Sequence, residues 1–135
     1  MAALATYLWI ALGSALGGVA RYACSTLVAG AFGETFPFGT LVVNVIGSFI
    51  IGFFATATGP DGRVLVSPDG RQFVMVGLCG GYTTFSAFSW QTLVLVQDGE
   101  VVRAGVNVGA SVALCLASVW LGFIAAAAFN RVRPA

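Results

Sequence analysis

Gly80-Gly81-Tyr82-Thr83-Thr84-Phe85-Ser86-Ala87-Phe88-Ser89-Trp90 lies inside an apolar run that extends from about residue 72 to about residue 97. Two adjacent glycines and two adjacent threonines weaken helical pairing there. Glycine costs backbone entropy in mid-helix, and threonine bonds locally to the backbone. The stretch therefore predicts a helix broken near Gly80–Thr84. At membrane depth such a break is tolerated where protein or a wet cavity covers the freed backbone groups, and it brings carbonyls and helix ends to ions. Beyond the break, Phe85 and Phe88 share a helical face, as do Ser86 and Ser89. Two readings stand: an ion-handling element, or a kinked span whose rings face lipid or neighbouring helices.

Outward from this stretch the chain stays apolar. It has 135 residues, room for one domain (1–135), with 59% hydrophobic and 8% charged residues. An ordinary globular chain is about one quarter charged. Apolar stretches at about 4–30, 39–58, 72–97 and 101–129 each reach the roughly 20 residues that cross a bilayer. The connections are short, and Pro37, Pro60 and Pro68 lie in or beside them. Ser67-Pro68-Asp69 is a helix-start signal for the third span. The expected fold is all-α: four transmembrane helices, the third one broken. The N-terminus has no basic lead-in and is expected to be the first span rather than a cleaved signal.

Composition also removes function classes. A net charge of +1 gives no basic stripe for nucleic acid. His and Lys are absent, and no phosphate loop, metal-ligand cluster or nucleophile–base pair points to an enzyme. Cys24, Cys79 and Cys115 sit in apolar runs without ligand spacing and are expected to be small packing residues. No Asp or Glu falls within a span, which counts against a proton-coupled small-solute exporter. A non-transporting membrane assembly subunit is the third alternative.

Polar and small residues recur along the other spans. Gly13 and Gly17 form a Gly-x-x-x-Gly pair, with Ser14 and Gly18 beside them. Arg21 is either a snorkelling residue near the span end or an anion-attracting group in a wet vestibule. Asn44, Ser48 and Gly52 form a stripe on the second span, where the Asn amide is helix–helix glue or a pore-facing donor. Gly105 and Gly109 are another small pair, and Asn107, Ser111, Cys115, Ser118 and Gly122 run along one face of the fourth span. The loop Gly59–Arg71, with mixed charges, is expected to be a solvated surface turn. This inventory is rich in donors, and donors replace an anion's water. The residues alone suggest anion passage without selecting the anion.

The run GGYTTFSAFS resembles the signature of the Fluc (CrcB) family of small fluoride channels. Gly17-Gly18-Val19-Ala20-Arg21-Tyr22 and the second-span string GTLVVNVIGSFIIG resemble the family's first and second helices. Asn107 departs from it, since the family often has Tyr there. The resemblance implies a passive fluoride channel that lowers cytoplasmic fluoride from a prokaryotic-type plasma membrane. It implies an antiparallel homodimer with two pores and a central structural sodium ion (Na+), held by the carbonyls of Gly80 and Thr83. Asn44, Phe85, Phe88 and Ser111 would line the fluoride path, with Thr84, Ser86, Asn107 and Arg21 as further members. Against dual insertion, the side with both termini has Arg63, Arg71, Arg131 and Arg133, facing Arg103 and Arg21 opposite. That is a mild positive-inside bias toward cytoplasmic termini.

Overall fold

The computed structural model describes residues 2–131, so Arg133 lies outside the described residues. Helix α1 (Ala2–Phe32) has 31 residues and ends at Gly33, whose φ of 79° closes the last turn through Gly33 N–H to Ala29 O at 2.8 Å. Glycine is the residue that takes this left-handed position at no steric cost. Helix α2 (Phe38–Ala57) begins after Pro37 and returns. A short helix α3 (Pro68–Gln72) starts as expected, with Pro68 in its first turn and the Ser67 hydroxyl accepting from Gly70 N–H at 3.1 Å. It continues into a π-helical segment, Phe73–Cys79, and the short helix α4 (Gly80–Tyr82). After two extended residues, α5 (Phe85–Gln97) completes the passage, and α6 (Val101–Arg131) returns. Among the described residues there is no strand.

Helices α1, α2 and α6 are each long and apolar enough to cross a membrane. With short connections, consecutive passages run in opposite directions, and both described ends lie on the same side. The chain is a multi-pass membrane protein, and its outward side chains fit that solvent. Leu8, Leu12, Leu16, Val19, Leu116 and Phe123 are all exposed.

Close helix approach carries the interior. The largest contact is α2 on α6, where a methyl on Gly122 would come within 2.8 Å of Phe53 N and Ser118 Oγ donates to Val45 O at 2.7 Å. The Gly13/Gly17 pair packs within the chain, against Gly77 and Gly81. A methyl on Gly17 would meet Tyr82 N at 2.8 Å, and one on Gly81 would meet Ser14 Cα at 2.8 Å. By contrast, a methyl on Gly18, Gly105 or Gly109 would meet no atom of another helix among the described residues within 4 Å.

The expected break within Gly80–Thr84 is present and falls at Thr83–Thr84, while the Gly80 backbone is helical (φ −64°, ψ −37°). Gly81 docks this helix on Ser14 of α1, and the threonines open it. One expectation is corrected here: the loop Gly59–Arg71 is more than a solvated turn. Arg63 Nη1 donates to Phe129 O at 3.1 Å and stacks over the Phe129 ring at 5.5 Å, and Arg71 Nη1 donates to both Thr58 oxygens. Asn130 joins the clasp through Thr56 O at 3.2 Å and Arg63 N–H at 3.2 Å.

Candidate ion pathway

The break is built from Thr83 and Thr84, both in extended backbone (φ −82°, ψ 158° and φ −152°, ψ 117°). Thr83 still closes the turn behind it, with both N–H and hydroxyl donating to Cys79 O at 2.9 Å. Thr84 does not. Its N–H donates to Asn44 Oδ1 at 2.8 Å, and Asn44 Nδ2 donates to Thr84 O at 3.1 Å. The Thr84 hydroxyl accepts from Ala87 N–H at 3.2 Å and so caps α5, while pairing with Ser86 Oγ at 3.2 Å. In an unbroken helix Thr84 N–H would go to Gly80 O, and Ala87 N–H to Thr83 O. Both donors are engaged elsewhere, so the Gly80 and Thr83 carbonyls lose their helical partners.

Around this opening lies a groove of about 440 Å³. It gathers residues from five elements: Asn44 and Ser48 of α2, Cys79 of the π segment, Gly80 of α4, Phe85 and Phe88 of α5, and Ser111 and Cys115 of α6. Thr83 and Thr84 line it too, and no Asp, Glu, Lys or Arg does. The Phe85 and Phe88 rings are 5.2 Å apart at 48°. They differ in setting: Phe88 is 8% exposed and Phe85 78%. Ser111 is buried. A set of hydroxyl, amide and ring-edge groups can receive an anion, because a phenyl edge is electropositive.

The remaining predicted residues fall elsewhere. Ser86 is exposed and reaches the groove only through its contact with Thr84. Asn107 is 2% exposed and donates to Thr92 Oγ1 at 2.8 Å, which ties α6 to α5 away from the groove. Arg21 lines a separate, wider cavity of about 1170 Å³. That cavity also holds Arg103, Glu34, Asp98 and Glu100, and it meets the groove at Thr84, which lines both. Arg103 is paired there with Glu100 at 3.4 Å. Sequence reasoning placed Cys79 and Cys115 as packing residues, yet both line the groove. Cys115 had a signal, being four residues from Ser111 on one face. Cys79 had none.

Comparison with known proteins agrees with this geometry. The family described as CrcB-like protein, Camphor Resistance (CrcB), matches residues 8–123. A protein of Opitutus terrae named fluoride-specific ion channel FluC is 62% identical over 130 residues, 96% of this chain and 98% of that one. Proteins with the same name from Rhodospirillum rubrum and Methylocella silvestris are 58% and 54% identical, over 93% and 96% of this chain and 98% of each of theirs. A helix opened at paired threonines beside a donor-lined groove, matched along almost its whole length, places this chain in the CrcB-like family.

Proposed function

We propose that this chain is a passive, fluoride-selective channel that lets fluoride leave the cytoplasm across a prokaryotic-type plasma membrane. The observation that carries this is the groove at the break: Asn44, the hydroxyl residues Ser48, Thr83, Thr84 and Ser111, and the rings of Phe85 and Phe88 line it, and among the described residues no acidic one does. Fluoride is small and strongly hydrated, so it enters only where several donors replace its water. Asn44 Nδ2 and the Ser111 hydroxyl supply such donors, and the Phe85 and Phe88 edges supply weaker ones that do not trap the ion. Arg21 lies in the wider cavity that meets this groove at Thr84. The relatives' printed name supports fluoride as the anion.

The working unit of this proposal is an antiparallel homodimer with a structural sodium. The donor chemistry fits: Gly80 and Thr83 offer neutral carbonyl oxygens relieved of their helical donors, and a second copy would double them. Hard oxygens at half-helix ends suit a small cation, which would supply a fixed positive charge between the subunits. Gly105 and Gly109, open in one protomer, support close approach of a second copy.

Purified protein in fluoride-loaded liposomes tests the function. Rapid fluoride efflux without a proton gradient, with chloride retained, is expected. Equal loss of both ions, or efflux only under a proton gradient, overturns the channel reading and favours an active exporter.

A further inference from the structure

We infer that Asn44 is a splint on the broken helix: its side-chain amide replaces the missing helical partner of Thr84 and so keeps the Gly80 carbonyl open. A carboxamide has the donor and acceptor of a peptide group, and Asn44 uses both on one residue, at 2.8 and 3.1 Å. Such a two-point grip requires that the N–H and C=O of Thr84 point the same way. They do so in extended backbone, as between paired strands, and point oppositely along an α-helix. Thr84 is extended (φ −152°, ψ 117°), so Asn44 binds the open form of the helix and has no equivalent grip on a continuous one. A group that binds one of two forms biases the equilibrium toward it by that difference in affinity.

Burial makes the grip necessary. Thr84 is 8% exposed, so water reaches its backbone groups poorly, and unpaired they would favour closing the turn onto Gly80 O. The Thr84 hydroxyl is meanwhile occupied in capping α5. One residue of α2 thus holds open a helix forty positions away in sequence. Asn44 is a positioning residue for the break as well as a lining residue of the groove.

The inference rests on the channel reading only where it touches sodium. The test uses the full-length protein in detergent, with two readouts: hydrogen exchange at the Thr84 amide, followed by NMR, and dimer stability with and without sodium. In Asn44→Leu, which has neither donor nor acceptor, Thr84 exchange should rise by about tenfold or more and the sodium response should disappear. Asn44→Asp keeps an acceptor for Thr84 N–H. Its other oxygen faces Thr84 O, where two acceptors repel, so Thr84 protection should lie between the Leu variant and wild type while the charge suppresses fluoride efflux. Should Asn44→Leu fail to fold, Asn44→Ser, polar but too short to reach Thr84, takes its place with the same expected exchange. Unchanged Thr84 protection in the Leu or Ser variant overturns the splint, as does protection in Asn44→Asp no higher than in Asn44→Leu. A wild-type dimer indifferent to sodium, with Thr84 exchange behaving as stated, would remove the sodium site and leave the splint standing.

Discussion

The two halves of the third passage are held in different ways. Before the break, Gly77 and Gly81 lie backbone against backbone on Gly13, Ser14 and Gly17 of α1, and Trp9 meets Phe73 edge-on at 5.9 Å. After it, α5 packs chiefly on α6 and leaves Phe85, Trp90, Leu93 and Val96 exposed. Its anchors are the buried Phe88 and Leu95 together with two polar points, the Thr84 cap and the Asn107–Thr92 bond. The first half is specified by shape that admits no added atom. The second combines a buried ring and a buried aliphatic group with hydrogen bonds, and it leaves apolar surface that the proposed second copy would cover.

The sharpest way to break this contrast is to add atoms to the first half. Gly17→Val should cost about 3 kcal/mol, the upper end for overpacking, because the new side chain meets the Tyr82 backbone. Gly105→Ala, which meets nothing within the protomer, should stay within about 0.5 kcal/mol of wild type in protomer stability. Thermal unfolding of both variants in detergent decides it, and similar losses would erase the distinction between the halves.

Next in size is the start of the second half. Phe88→Ile and Phe85→Ile should each slow fluoride efflux about tenfold, equal to roughly 1.4 kcal/mol of lost ring–ion interaction, with folding intact. Phe→Met at either position should recover part of the rate, since a flexible thioether fills similar space. Wild-type rates in well-folded Ile variants would make the rings packing residues.

The smallest effect sharpens the polar side of the comparison. Thr92→Val leaves the buried Asn107 amide without its partner and should cost about 1 kcal/mol, the low end for an orphaned buried group. Combining it with Asn107→Leu should return much of that, because no unsatisfied group remains. A double-mutant cycle by chemical denaturation measures this, and strict additivity would mean that the bond does not fix α5.

Local pattern carried the helices and their ends. Apolar length gave the passages, Ser67-Pro68 gave a helix start, and Thr83-Thr84 gave the opening. The Gly13/Gly17 face was legible as a close contact, but its partner was not, since spacing on one helix does not say which helix faces it. Propensity marks both Gly80 and Gly81 as weak, yet both stay helical, and Gly81 does so packed on Ser14 of α1. The π segment Phe73–Cys79 left no signal in residue types. The bond between Asn44 and Thr84 spans forty residues, and the arginine clasp more than sixty on one arm, distances at which periodicity says nothing.

That clasp bears on biosynthesis. A cation beside a helix C-terminus satisfies carbonyls that the helix leaves without donors. Arg71 does this for Thr58 at the end of α2, and Arg63 does it for Phe129 in the last turn of α6. Both helices end on the side that holds the chain ends, so arginines gather there for reasons of folding. To the insertion machinery they count toward one orientation; to the finished protein two of them are fittings, needed whichever way it faces.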